Sequence, residues 1–341
     1  MNKYKKSKFI VNWFDYYLLK WRIKSNSCIL LNTKPDMMMI SLNKDFFLCK
    51  QYKGLLKAVF RLINEDRLEY FNKENMMVLY NSDKMLKYKS QFDFASIESI
   101  EKLIDLKIAF EHFDSSLFLV KINSEVKILI RKHLAGDVVA ISDIFFQDEY
   151  AILKPYLRNA VVLDIGAYIG DSILKFICEG ARKIYAYEPH PDLYKIALKN
   201  IEINNITSQV ELKNFGVSDK KKELVVFEDT KLGPTPSFGL EGNKRFNKVH
   251  LKLLSLEDVI NSIGDIDIMK MDCEGAEFSS ILSCSPKALR RIKRMIIEYH
   301  KEPEVLIEYL NQSGFNVSIF PKNDMRNKIG LLFAANNTCY G

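Results

Sequence analysis

The chain has 341 residues, 48% of them hydrophobic and 27% charged, with a formal net charge of +7. That length suits two domains or one large one, and the composition excludes a collagen-like, mucin-like or largely disordered chain. Residues 1–50 hold 10 Lys/Arg against 3 Asp/Glu, an excess equal to that of the whole chain, and the rest is near neutral.

The opening segment joins Lys3, Lys5, Lys6 and Lys8 to Tyr4, Phe9, Trp13, Phe14, Tyr16, Tyr17 and Trp21. A basic, aromatic helix over 8–23 either lies on an anionic membrane surface or on nucleic acid, or packs on the body with its lysines in solvent. A dedicated nucleic-acid protein would be more basic overall, so no nucleic-acid partner is expected. Asn12 and Asp15 break the run Phe9-Ile10-Val11 and no small-residue cleavage site follows, so the segment does not read as a secretory signal. No apolar run approaches the ~18–20 residues of a membrane helix. The cysteines Cys28, Cys49, Cys178, Cys273, Cys284 and Cys339 form no CxxC pair and are widely dispersed. They read as reduced thiols rather than a zinc site or a disulfide framework. A cytoplasmic protein is expected, with peripheral membrane contact left open.

Further helices are predicted over 52–66 and 97–111. Phe118 to Ile122 and Val126 to Ile130 are rich in β-branched and aromatic residues around Asn123-Ser124-Glu125, which predicts a hairpin. From 160 onward, short apolar strands alternate with helical stretches. Strands are predicted at 160–165, 183–188, 210–212, 224–227, 266–271 and 294–298. Helices are predicted at 171–179, 191–204, 255–262, 276–283 and 303–312. Residues 315–320 and 330–335 read as a terminal antiparallel hairpin. This alternation predicts an α/β fold with a mostly parallel, Rossmann-like sheet covered by helices on both faces. The division expected is a mostly helical accessory region over 1–115, a hairpin and connecting segment over 116–150, and a cofactor-binding domain over 151–341.

The sharpest local feature is Leu163-Asp164-Ile165-Gly166-Ala167-Tyr168-Ile169-Gly170-Asp171, a strand running through an acid and two glycines into a helix. Glycine permits the tight turn and a close approach by a ligand. Glu188 ends the next strand, where a carboxylate can accept both hydroxyls of a ribose. A dinucleotide site would read GxGxxG, with helix-end amides on a pyrophosphate. Here the spacing is Gly166-x-x-x-Gly170, and Asp164 and Asp171 would repel a pyrophosphate. They suit a cationic cofactor, which favours S-adenosylmethionine over a nicotinamide. Gly216 follows the third strand, where an adenine edge would lie.

Met269-Lys270-Met271-Asp272-Cys273-Glu274-Gly275-Ala276-Glu277 ends the fourth core strand. Asp272 and Glu274 stand there either to accept from a cofactor ammonium or to act as a base. Cys273 is flanked by carboxylates that disfavour its thiolate and reads as packing. His300 ends the next strand in Ile297-Glu298-Tyr299-His300 and faces the same rim or serves as a surface residue. Gly233-Pro234-Thr235-Pro236-Ser237-Phe238-Gly239 is either an acceptor-covering loop or a surface excursion. No metal-ligand spacing is visible.

These blocks, with Tyr187-Glu188-Pro189, resemble the FkbM family of S-adenosylmethionine-dependent methyltransferases over roughly residues 145–320. The resemblance implies O-methylation of a hydroxyl on a sugar, a glycan or glycolipid, or a related small metabolite. It implies that Asp164, Gly166, Gly170 and Glu188 line the cofactor, with Ala167, Asp171, Gly216 and Asp272 beside them. Asp272, Glu274 and His300 would face the transfer site. Tyr168 departs from the family, where a smaller polar residue such as asparagine is frequent. The alternatives are a nucleic-acid methyltransferase, which often carries Asn-Pro-Pro-Tyr-like residues after strand four, and a non-catalytic cofactor-binding or scaffold protein.

Overall fold

The computed structural model describes residues 27–32, 37–42, 68–71, 76–81, 84–89, 99, 102–103, 106, 108–132, 134–229, 246–273, 275–321 and 329–337. The predicted helices over 8–23 and 52–66 and the loop over 233–239 lie outside these residues. The chain forms two compact units, residues 1–122 with 130–139 and residues 123–129 with 140–341.

In the first unit the described residues before 115 are mainly strands. Ser27–Asn32 pairs with Met37–Leu42, and Leu68–Phe71, Met76–Asn81 and Lys84–Lys89 form an antiparallel meander. The helix expected over 97–111 is corrected in its second half. Ser99, Lys102 and Leu103 are helical, but Ala109–His112 is a strand paired with Leu117–Lys121. Burial alternates here: Ile108 and Phe110 are buried and Ala109 and Glu111 exposed, the period of a strand with one face covered. The Phe110 and Phe118 rings meet edge-on at 5.3 Å and fix that face. Both strands of the predicted hairpin form, at Leu117–Lys121 and Lys127–Arg131. Asn123 Oδ1 accepts from the Glu125 and Val126 amides at 2.8 Å each, turning the chain between them.

The second unit holds the seven-stranded sheet. Its strands are β1 (Val161–Ile165), β2 (Lys183–Tyr187), β3 (Val210–Lys213), β4 (Ile266–Met271), β5 (Ile292–Tyr299), β6 (Phe315–Pro321) and β7 (Gly330–Asn336). Their order is β3-β2-β1-β4-β5-β7-β6. Strands β1 to β5 run parallel, and β7 runs antiparallel to both β5 and β6. The predicted parallel sheet and terminal hairpin are therefore both present. The helices are α1 (Asp171–Cys178), α2 (Pro191–Ile203), α3 (Leu256–Ile263), α4 (Glu277–Ser283), α5 (Pro286–Leu289) and α6 (Glu304–Gln312). Their starts follow capping chemistry: Ser255 Oγ accepts from the Asp258 amide at 3.1 Å, and Pro191 opens α2. Leu163, Ile165, Met269, Met271, Met295 and Ile297 belong to one core cluster with residues of α3, α4 and α6. Near-continuous apolar strands of this kind need helices on both faces.

A three-stranded sheet, Gly216–Ser218, Phe246–Ser255 and Lys222–Asp229, stands apart from the main one. The strand over 246–255 was not expected. In its visible part His250 and Lys252 are exposed and Leu253 is buried, a period-two pattern hidden by the charged residues.

Asn200 on α2 is fully buried. Its Oδ1 accepts from the Leu129 amide at 2.6 Å, and its Nδ2 donates to the Leu129 and Ile169 carbonyls at 3.1 and 2.8 Å. One side chain thus ties the segment at 129 to the turn after β1. Asn200→Leu keeps the volume but strands three buried backbone groups. The expected loss is about 2–4 kcal/mol of unfolding free energy in urea titration.

Candidate cofactor and acceptor site

The site is built where β1, β2, β4 and β5 end. In register, Lys270 of β4 lies beside Asp164 of β1. Its Nζ is 3.3 Å from Asp164 Oδ1 and donates to the Gly166 carbonyl at 2.5 Å. Ser172 Oγ donates to Asp164 Oδ2 at 2.6 Å. Both charges are buried, at 0% and 3% exposure. Burial works against the Lys270 ammonium, but Asp164, Asp272 and Asp171 outweigh it and hold its pKa above the usual lysine range. Asp164 is expected from the sequence to line the cofactor. The structure places its carboxylate inside the domain, bracing the turn through Lys270 and Ser172.

Gly166 takes φ +80°. Its amide and that of Ala167 both donate to the Tyr187 carbonyl, at 3.0 and 3.1 Å. A Cβ at 166 would overlap the Asp272 carbonyl oxygen, because the ends of β1 and β4 meet here, with the Asp272 amide donating to the Ile165 carbonyl at 3.0 Å. Gly166→Ala therefore meets both a disfavoured dihedral and a backbone collision. The expected cost exceeds about 2 kcal/mol, read as a lowered thermal midpoint. Tyr168 also sits at positive φ, +49°, which is strained for a large side chain. Gly170, at φ +87°, caps α1, and Asp171 is the buried first residue of that helix.

Glu188 is 5% exposed. Its Oε2 accepts from the Tyr168 amide at 2.9 Å and its Oε1 from the His190 amide at 2.8 Å. These bonds aim the carboxyl and leave each oxygen a lone pair. Burial pushes its pKa up to about 7, against the His190 and Tyr168 amides and the Lys270 charge. Asn214 Nδ2 donates to the carbonyls of Glu188 and Pro189 at 2.9 and 3.0 Å, fixing the exit of β2. Gly216 packs there too: a Cβ on it would press on the Leu253 and Pro189 side chains.

At the ends of β4 and β5, Asp272 and Cys273 are half-buried. Glu274 lies outside the described residues. Glu277, the first residue of α4, is fully buried. Its Oε1 accepts from the Cys273 and Gly275 amides at 3.0 and 3.1 Å and stands 3.4 Å from His300 Nδ1. On the other side of the ring, His300 Nε2 is 3.9 Å from Glu298 Oε1. Burial acts upward on Glu277, but His300 and the backbone amides of Gly275, Glu277 and Cys273 prevail and hold its pKa below the ordinary carboxylate value. Burial, with Glu277 and Asp272 adding to it, pushes the Cys273 thiol well up, which agrees with a packing role.

Three contributors escaped the sequence reading. Lys270 and Glu277 lie inside a quoted block but had no role assigned. A lysine between two methionines in a largely apolar strand was the available signal for the first. Tyr150 is the third. It is buried, and burial together with Asp272, Glu149, Asp164 and Asp171 drives its phenol well above the usual pKa. Its ring packs on Phe176 at 5.7 Å. It stands on an irregular segment before β1 that no periodicity marks.

The strand order and the glycine turn after β1 are those of the class I methyltransferase fold. Residues 164–317 match the methyltransferase FkbM domain. The curated relative AMB antimetabolite synthetase AmbE of Pseudomonas aeruginosa is 24% identical over 227 residues, 52% of this chain and 10% of its own length. The chain thus spans about a tenth of that relative. Among solved structures, methyltransferase FkbM from Methylobacillus flagellatus KT is 14% identical with a TM-score of 0.40, over 71% of this chain and 55% of its own. SMU.1697c from Streptococcus mutans, solved in complex with SAH, is 17% identical with a TM-score of 0.35, over 55% and 96%. Among the described residues no helix is long and apolar enough to cross a membrane. Nor does any group of three or more His, Cys, Asp or Glu among them form a metal cage.

Proposed function

We propose that this protein is an S-adenosylmethionine-dependent O-methyltransferase acting on a hydroxyl of a sugar, a glycan or glycolipid, or a related small metabolite. The observation that carries the reading is the carboxylate-paired His300 at the end of β5, on the same sheet edge as the pinned Glu188.

The donor set fits the cofactor. Glu188 keeps acceptor capacity on both oxygens, as a ribose diol requires. Asp171 and Asp272 lie around the turn, and the Lys270 ammonium beside it is already engaged by Asp164 and Gly166. That field repels a pyrophosphate and favours a cation. Glu188 would hold the ribose and Asp272 the ammonium. Bound there, S-adenosylmethionine supplies an electrophilic methyl group on a sulfonium. The protein's part is to hold the acceptor hydroxyl in line and take its proton. His300 is the base, since an imidazole titrates near neutral pH. The Asp272-Cys273-Glu274-Gly275 stretch, in place of an Asn-Pro-Pro-Tyr-like one, argues against amino methylation of nucleic acid. The basic, aromatic residues 1–50 support a peripheral contact with an anionic membrane, where lipid-linked sugars are presented.

The test is calorimetric titration with S-adenosylhomocysteine beside NAD, followed by transfer of labelled methyl from S-adenosylmethionine to sugars and glycolipids. Micromolar S-adenosylhomocysteine binding and label in a methyl ether of an acceptor hydroxyl support the reading. NAD binding instead, or no binding by a folded chain, removes it.

A further inference from the structure

We propose that Tyr150 holds the α-carboxylate of the cofactor's amino-acid end, donating to it from the phenolic hydroxyl while Asp272 takes the α-ammonium. The proposal rests on the S-adenosylmethionine reading put forward above. That cofactor brings an anion together with its sulfonium and ammonium, and the anion must settle near Asp164, Asp171 and Asp272. It needs a donor that is not already engaged. At the turn after β1 the donors that would usually take an anion are committed. The Gly166 and Ala167 amides donate to the Tyr187 carbonyl, the Tyr168 amide to Glu188 Oε2, and the Gly170 amide to the Ala167 carbonyl at 2.7 Å. The Lys270 ammonium serves Asp164 and the Gly166 carbonyl.

Tyr150 is held in place from several sides. It is 5% exposed, and its ring packs on Phe176 of α1 at 5.7 Å. Phe176 lies four residues after Ser172, on the same face of the helix. Ser172 in turn donates to Asp164, so the tyrosine is brought beside the helix start and the end of β1. The chain around it is fastened as well. Asp148 takes a left-handed dihedral, φ +53°, and its Oδ1 is 2.7 Å from Lys175 Nζ on α1. The Glu149 amide donates to the Asp143 carbonyl at 3.0 Å, and the Ala151 amide to the Asp148 carbonyl at 2.8 Å. Backbone strain of this kind collects where a segment must aim a side chain. The charges that reach the phenol are Asp272 foremost, then Glu149, Asp164 and Asp171. Burial and those carboxylates keep it protonated, which makes it a neutral donor in an acidic site. Packing alone would be served as well by phenylalanine, which has the same ring and no hydroxyl to bury.

The experiment is calorimetric titration of the full chain, wild type and Tyr150→Phe, with three probes. S-adenosylhomocysteine carries both the carboxylate and the ammonium, its decarboxylated analogue only the ammonium, and 5′-methylthioadenosine neither. Wild type should bind S-adenosylhomocysteine at least about tenfold tighter than the decarboxylated analogue, as a hydrogen bond to a charged group predicts. Tyr150→Phe should erase most of that difference and leave the affinities for the other two probes within about twofold. Equal weakening toward all three means that the tyrosine acts through packing, and an unchanged S-adenosylhomocysteine affinity means that the carboxylate is held elsewhere. Either result overturns the proposal. If Tyr150→Phe does not fold, Tyr150→Leu carries the same comparison, because the ratio between probes is read rather than the absolute affinity. A folded wild type that binds none of the three removes the cofactor reading and this inference with it. One that binds all three without preference keeps that reading and removes only the inference.

Discussion

Glu188→Ala should lose S-adenosylhomocysteine binding by at least about 100-fold in calorimetry. The carboxyl is the one group at the end of β2 that is aimed by two backbone amides and still has lone pairs to offer. Removing it deletes both prospective ribose hydrogen bonds, each worth about 1.5–3 kcal/mol when the acceptor is charged. It also strands the Tyr168 and His190 amides, and Tyr168 already holds a strained dihedral. The pH dependence has two opposite signs. Glu188 titrates at about 7 in the folded chain, above its ordinary 4.5. The native state therefore binds the extra proton between those values. The contribution to stability is fully present below about pH 4.5 and is lost as pH rises through 7, up to about 3 kcal/mol. Wild type should lose that much relative to Glu188→Ala between pH 4.5 and 8. Ligand affinity should run the other way and tighten as pH rises across 7, because the ionised carboxyl is the better acceptor. A flat affinity profile from pH 6 to 8 would detach Glu188 from the ribose.

Lys270→Met should be the most destabilising of the substitutions in the sheet, at about 3–5 kcal/mol. It leaves the Asp164 carboxylate buried with only Ser172 to hold it, and it takes the donor from the Gly166 carbonyl. At roughly 2–4 °C per kcal/mol for a domain of this size, the thermal midpoint should fall by about 10 °C. The double variant Asp164→Asn with Lys270→Met removes both charges and should recover part of the loss, since the penalty lies in the unpaired charge rather than in the absent pair. Urea unfolding of the two single variants and the double closes the cycle. Additive losses would show that the two side chains do not act together.

Alternating apolar strands and helices from 160 onward determined the parallel sheet, because strands covered on both faces and helices covered on one have distinct local periods. The glycine turn and the acid ending β2 were legible for the same reason: each is a local requirement of backbone or charge. The period-two stretches around 108–111 and 249–253 were equally local, but they are short and carry charged residues on their exposed face. What only the tertiary structure decided is which charges meet. Asp164 and Lys270 lie 106 residues apart and become neighbours because β4 pairs beside β1 in that register. There Asp164 braces the turn after β1. Glu277 and His300 meet because α4 starts where β5 ends. Spacing along the chain reports which face of an element is buried. Partners across strands depend on strand order and register, and those are set only when the whole sheet closes.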